Sequence, residues 1–200
     1  MSKLVIATRN KGKAKEFGAL LAGLGLEIYS LLDFPELILP PETGRTFEEN
    51  AILKASSVRD QTGLVALGDD SGLEVEVLNG APGIFSSRFA GEPPDDERNN
   101  QKLLALLARV PEDKRKARFR CVLALAGDEG KMYTAEGRLE GYIALEPRGS
   151  YGFGYDPLFY LPEYGRTLAE LGPEVKDKIS HRARAVQNLL PALKEVFGID

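Results

Sequence analysis

The chain has 200 residues, with 26 Lys and Arg against 30 Asp and Glu, a formal charge of −4, one His, one Cys and no Trp. One His excludes a metal site built on several imidazoles, and one Cys excludes a disulfide framework or a thiolate zinc site within one chain, so any metal must be held mostly by oxygen. The negative balance argues against binding duplex nucleic acid by bulk electrostatics. At 43% hydrophobic and 28% charged the composition is that of an ordinary globular protein. The opening Met1 to Thr8 holds too short an apolar run for a signal peptide, and no stretch approaches a membrane span of about 18 apolar residues. The expectation is a cytoplasmic chain with neither nucleic acid nor membrane as partner.

The run Leu4-Val5-Ile6-Ala7 predicts a buried strand, followed by a tight loop at Asn10 to Lys13 and a helix from Ala14 to Leu21. A short strand around Leu26 to Ser30 precedes an irregular stretch with Pro35, Pro40 and Pro41. Thr46, three residues before Glu49, matches a capping box and opens a helix that Gly63 ends. Leu64 to Leu67 predicts a second buried strand. It runs into an acidic turn, Gly68-Asp69-Asp70-Ser71-Gly72, and Leu73 to Val77 alternates with period two as a further strand. A helix is expected over Asp96 to Val110, a long strand over 117–126 with Cys121 in the core, and one or two strands between Met132 and Leu145. Gly149 to Pro157 reads as a glycine and aromatic loop, and Ser180 as the cap of a last helix, His181 to Phe197, which Pro191 should kink or split. Strands alternating with helices, and adjacent antiparallel strands over 117–145, imply an α/β fold with a mixed sheet.

Charge is segregated along the chain. Lys3, Arg9, Lys11, Lys13 and Lys15 precede the first acid, Glu16. Cations at a helix N-terminus oppose the macrodipole unless an anion is bound, and a phosphate would explain Lys11, Lys13 and Lys15, with Gly12 opening the backbone and Thr8 and Asn10 adding hydrogen bonds. Neither a Walker loop nor G-x-G-x-x-G opens this helix. Residues 27–79 hold eleven acids against three bases. Asp69 and Asp70 follow an apolar strand, where ligand groups sit in α/β sheets. Adjacent carboxylates raise each other's pKa unless a cation such as Mg²⁺ neutralises them, and Glu42, Glu48 and Glu49 could add ligands. In Gly152-Phe153-Gly154-Tyr155-Asp156 the glycines open the backbone and the aromatics suit a base or sugar. Lys176, Lys178, His181, Arg182 and Arg184 crowd the expected start of the final helix. Against each of these stands a plain structural role: a solvated helix start, an exposed Asp-Asp turn, a hairpin with packed aromatics, an incidental His. Together they are the parts needed to hold a nucleoside triphosphate.

Six ordered motifs over nearly the whole chain resemble the inosine triphosphate pyrophosphatase family. They are Thr8-x-Asn10-x-x-Lys13, Thr46-Phe47-x-x-Asn50-Ala51-x-x-Lys54, Asp69-Asp70-Ser71-Gly72-Leu73, Gly80-Ala81-Pro82-Gly83, Gly152-Phe153-Gly154-Tyr155-Asp156-Pro157 and Ser180-His181-Arg182. The resemblance implies one domain over 1–200, a long mixed sheet flanked by helices with two lobes and a cleft between them, a homodimer, and Mg²⁺-dependent release of pyrophosphate and a nucleoside monophosphate from XTP, ITP or dITP. By motif position it implies that Thr8, Arg9, Asn10, Lys11, Gly12 and Lys13 bind the triphosphate with Lys54. Glu42 and Asp70, with Asp69 as a further candidate, hold the metal, and Asp70 is the general base. Ser71, Phe153, Gly154, Tyr155, Asp156, Lys176, His181 and Arg182 contact substrate, and Arg88 is a further candidate. Arg9 departs from the family, where Gly is common.

On that reading Asp70 directs water at the α-phosphorus while Lys13 and Lys54 neutralise phosphate charge. Backbone N–H groups near the last helix donate to the 6-oxygen of hypoxanthine or xanthine and disfavour adenine, whose amine would leave them unpaired. The alternatives are a Maf-like pyrophosphatase for modified pyrimidine nucleotides and a non-catalytic nucleotide- or RNA-binding module. The carboxylates around Asp70 disfavour RNA, and the lack of G-x-S-x-G disfavours a serine hydrolase.

Overall fold

The computed structural model describes residues 2–199; Met1 and Asp200, the ends of the expected single domain, lie outside the described residues. In chain order the elements are β1 (Lys3–Ile6), α1 (Lys11–Leu21), β2 (Glu27–Ser30), α2 (Phe47–Thr62), β3 (Val65–Val75), α3 (Asp96–Leu106), β4 (Lys116–Ala126), β5 (Met132–Ile143), β6 (Phe159–Leu161), β7 (Arg166–Thr167), α4 (Leu168–Leu171), α5 (Pro173–Ile179) and α6 (His181–Phe197). The strands are hydrogen-bonded in the order β2-β1-β3-β4-β5-β6-β7. β1 is parallel to β2 and β3, and β6 is antiparallel to β5 and β7, so the sheet is mixed, as the element pattern implied. Among the described residues no helix is long and apolar enough to cross a membrane.

The chain divides into two compact units, Met1–Asp70 with Cys121–Gly137 and Arg182–Asp200, and Ser71–Arg120 with Arg138–His181. In the first, strand side chains alternate between faces. Leu4, Ile6, Val65 and Leu67 meet Phe17 and Leu21 of α1 and Val186, Leu189 and Leu193 of α6. Val5, Ala7 and Ala66 face the other way and meet Val58 of α2. The second unit has its own core, in which Leu73, Phe119, Ile143 and Phe159 of the strands meet Leu103 and Leu107 at α3.

The ends of α2 follow from its sequence. The Thr46 hydroxyl accepts from the Glu49 N–H at 3.1 Å, and Gly63, with φ 70°, closes the helix and returns its N–H to the Arg59 carbonyl at 2.8 Å. The reciprocal half of the capping box shifts by one residue: Glu49 accepts from the N–H of Arg45, at 2.6 Å, rather than from that of Thr46.

Three expectations are corrected. Residues 68–72 are not a turn between two strands but the middle of one strand, β3, of 11 residues. Asp69 and Asp70 are both buried and both paired with cations, so the chain has no need to turn them out to water. Pro191 does not split the last helix, because α6 runs on through it as one element of 17 residues. Lys176 and Lys178 lie not at the start of that helix but in the last turn of α5, where cations complement the dipole. The short elements β6, β7, α4 and α5 lie between the Gly149 to Pro157 loop and Ser180, where no element was expected.

Gly68 is the point of closest approach between β3 and α2. A Cβ there would fall on the Ala51 carbonyl oxygen and 2.9 Å from the Ala55 nitrogen, so only glycine lets α2 settle against the strand. Gly18, mid-way along α1, has open space around it. Gly68→Ala should therefore lower stability by about 1–3 kcal/mol through overpacking. Gly18→Ala should raise it by about 0.5–1 kcal/mol through helix propensity. Urea unfolding midpoints of the two variants should move in opposite directions.

Candidate active site

In the first unit, β1 delivers the chain into a loop that α1 closes. The Asn10 side chain caps α1 by accepting from the Lys13 N–H at 3.0 Å, and the buried Thr8 hydroxyl accepts from the Asn10 N–H at 3.1 Å. Gly12 and the exposed Lys11 follow in the first turn, so backbone N–H groups and two lysines share the positive end of one helix. Arg9 points elsewhere: its guanidinium donates to the carbonyls of Leu31 at 3.4 Å, Pro35 at 3.3 Å and Leu37. Its side chain ties down the irregular segment after β2, and its candidacy as a phosphate ligand rests on the backbone alone.

Asp69 and Asp70 are neighbours on β3 and therefore project to opposite faces. Asp69 goes to the α1 and α6 face. It pairs with the Lys13 ammonium, accepts from the Cys121 thiol at 3.2 Å and lies 3.7 Å from Arg182 Nε, while Arg182 also pairs with Glu16. Burial pushes the Asp69 carboxyl up, but Lys13, Arg182 and Lys54 outweigh it and hold the group well below the usual carboxylate range. Burial pushes the Cys121 thiol far up, and Asp69 adds to it, so Cys121 remains a protonated donor.

Asp70 goes to the α2 face. It accepts from Asn50 Nδ2 and from the Lys54 ammonium, each at 3.1 Å, and Lys54 also reaches Glu42 at 2.9 Å. Burial raises Asp70 above an ordinary carboxylate even though Lys54 and Lys13 pull it down. Burial works against the charge on Lys54, but Asp70 and Glu42 outweigh it and raise the ammonium pKa. Among the described residues no group of three or more His, Cys, Asp or Glu stands ready to hold a metal. Glu42 and Asp70 do converge on one cation, the Lys54 ammonium, and their hard carboxylate oxygens would suit a divalent metal such as Mg²⁺.

In the second unit the glycine and aromatic loop is organised by Asp156. Its buried carboxylate accepts from the Phe153 N–H at 3.0 Å and pairs with Lys176 at 2.5 Å, and the Lys176 ammonium lies 4.7 Å from the Phe153 ring centroid. Gly152, at φ 82°, allows this, since a Cβ there would collide with the Asp156 carboxylate. From α3, Asp96 accepts from the Gly154 N–H at 2.7 Å and Asn100 donates to its carbonyl at 2.9 Å. Tyr155 is buried and donates to the Ser86 carbonyl at 2.7 Å, with its phenol pKa pushed up by burial. His181 is buried and stacks on Phe119, centroids 4.7 Å apart and planes 15° from parallel. Ser71 is half-buried on β3, and Arg88 lies 5.3 Å from the exposed Phe85 ring. The two units meet in sequence inside two of the motifs, between Asp70 and Ser71 and between His181 and Arg182.

The family model described as Ham1 family matches residues 4–192. The chain belongs to the Ham1 family. It is 53% identical over 195 residues to a protein of Desulforamulus reducens named dITP/XTP pyrophosphatase, covering 98% of this chain and 97% of that one. It is 53% identical over 198 residues to a Geobacter sulfurreducens protein of the same name, with 99% and 98% covered. Among solved structures, a HAM1 protein from Coxiella burnetii superimposes with a TM-score of 0.86 at 45% identity, covering 98% of this chain and all of the other.

Within this Ham1 chain the structure brings Lys13, Asp69 and Arg182 together, and separately Glu42, Lys54 and Asp70. In the second unit it brings Phe153, Asp156 and Lys176 together. Asp69 pairs with Lys13, whereas Glu42 pairs with Lys54. Four residues that tie these groups in place were not singled out as site residues: Asn50, Glu16, Cys121 and Phe119. Asn50 alone had a signal, as a polar residue on the core-facing side of α2.

The Asp69 pairing makes stability depend on pH. Its folded pKa lies below its unfolded value, so the stability it contributes is present above about 3.9 and is lost as pH falls below that. Urea midpoints measured in EDTA should fall on the acid side in the wild-type chain and fall less steeply in Asp69→Asn. The variant itself should lose about 3–5 kcal/mol at neutral pH, because the half-buried Lys13 loses its carboxylate and the buried Arg182 keeps only Glu16.

Proposed function

We propose that this Ham1 chain hydrolyses the non-standard purine nucleoside triphosphates XTP, ITP and dITP to the nucleoside monophosphate and pyrophosphate, with Mg²⁺ as cofactor. The observation that carries the chemistry is Asp70, a buried carboxylate raised above its ordinary pKa yet held in place by Asn50 and Lys54. A base needs a pKa closer to neutrality than a surface carboxylate has, and burial moves Asp70 in that direction. The names of the close relatives support the substrate class.

The α1 N-terminus, with Thr8, Asn10, Gly12 and Lys13, receives the triphosphate, and the Lys54 ammonium balances charge near Asp70. Asp70 accepts a proton from the water that attacks the α-phosphorus as pyrophosphate leaves. Glu42 and Asp70 would hold the divalent cation, which would supply charge neutralisation when bound. Phe153 offers a flat face to the purine, with Asp156 and Lys176 fixing the loop that carries it, and Ser71, Gly154, Tyr155, His181 and Arg182 contribute further contacts. Homodimerisation and a cytoplasmic location belong to the same reading.

Incubation with ITP, XTP, GTP and ATP, with and without Mg²⁺, tests it. Pyrophosphate and monophosphate should form from ITP and XTP only when the metal is present, much faster than from ATP. Orthophosphate as first product would remove the α-phosphorus assignment. Asp70→Asn should lower kcat by about 10²–10⁴-fold with the fold intact by circular dichroism.

A further inference from the structure

Asp69 and Asp70 are adjacent in sequence but face different partners. Asp69 meets donors held by three other elements: Lys13 on α1, Cys121 on β4 and Arg182 on α6. Its side chain is fully buried, whereas that of Lys13 keeps 18% of its surface exposed, so the carboxylate forms the closed end of the pair and the ammonium its open end. Oδ2 takes Lys13, and Oδ1 takes the thiol and the guanidinium. Glu16 pairs with Arg182, giving a chain of alternating charge, Glu16, Arg182, Asp69, Lys13, that ends at the first turn of α1. Lys13 has four rotatable side-chain bonds, and fixing a long ammonium unaided loses rotamer freedom each time a ligand binds. A buried anion that orders the side chain beforehand removes that loss.

We propose that Asp69 is a positioning residue for phosphate binding rather than a metal ligand: its carboxylate holds the Lys13 ammonium at the start of α1 and, with Glu16, holds Arg182. The proposal rests on the reading of Lys13 as a triphosphate ligand. It divides the work of the Asp69-Asp70 step: one carboxylate orders cations for the substrate, and the other is left for metal and water.

The test is a double-mutant cycle on inorganic tripolyphosphate binding to the full chain, measured by calorimetry in EDTA, so that neither metal nor turnover enters. Asp69→Asn and Lys13→Met should each weaken binding by about tenfold or more, and the double variant should bind no more weakly than Lys13→Met alone. Asp69→Glu keeps the charge but moves the carboxylate outward by one methylene; it should weaken binding too, and it carries the cycle if Asp69→Asn does not fold. With ITP and Mg²⁺, the Asp69 variants should raise KM more than they lower kcat, with the Mg²⁺ concentration for half-maximal rate unchanged. Tripolyphosphate binding as tight as wild type in the Asp69 variants, losses that multiply in the double variant, or a shifted Mg²⁺ midpoint would each overturn the proposal. If the wild-type chain released no pyrophosphate from ITP, the functional reading would fail, while the tripolyphosphate cycle would still decide the role of Asp69.

Discussion

A carboxylate taken out of water must be met by a cation or give up its charge, and β3 buries two carboxylates in succession. Because successive side chains on a strand point to opposite faces, one cation cannot serve both by the same route. The first unit is arranged around that constraint. α1 and α6 bring Lys13 and Arg182 to the Asp69 face, and α2 brings Lys54 and Asn50 to the Asp70 face. The apolar residues that dock those helices, Phe17, Leu21 and Leu189 on one side and Val58 on the other, set where the cations arrive. Gly68, one residue before the pair, lets α2 approach closely enough for Lys54 to reach.

The two environments push the two carboxyls in opposite directions from nearly the same starting value. Asp69 has Lys13 and Arg182 against its burial and stays ionised at any physiological pH. Asp70 shares Lys54 with Glu42, and burial wins over what attraction is left. A pair of titratable groups separated in this way is how a site assigns a permanent anion to one task and a proton acceptor to another. The second unit uses the same device once more, with Lys176 neutralising a buried Asp156 that in turn holds the Phe153 N–H.

Much of the fold is legible in residue order, because its signals are local. Thr46 and Gly63 bound α2 as caps do, since a hydroxyl and a left-handed glycine satisfy helix ends with no help from elsewhere. The apolar run at 4–7 and the alternating run at 117–126 locate β1 and β4 within a residue or two. Local signals also mislead. Gly68 and Gly72 flanking two acids read as a turn, but the strand runs through because cations from distant segments meet the charges and α2 occupies the space beside Gly68. Pro191 reads as a break, yet α6 continues past it, its neighbours Leu189 and Leu193 both anchored in the core. The short elements β6, β7, α4 and α5 carry too few residues for a periodic pattern to show.

By itself the sequence determined the class of fold, the helix caps, the segregation of charge and the residue types able to bind phosphate, metal and a purine, because each depends on spacing along the chain or on the chemistry of single side chains. Only the tertiary structure decided which of those residues act together. Lys13 belongs with Asp69 across 56 positions, and Arg182 with Glu16 across 166. It also turned Arg9 away to the carbonyls of Leu31, Pro35 and Leu37, which no spacing rule anticipates. The reason is physical: pairing energies depend on distance and burial, and both are set by how helices dock on the faces of the sheet rather than by separation in sequence.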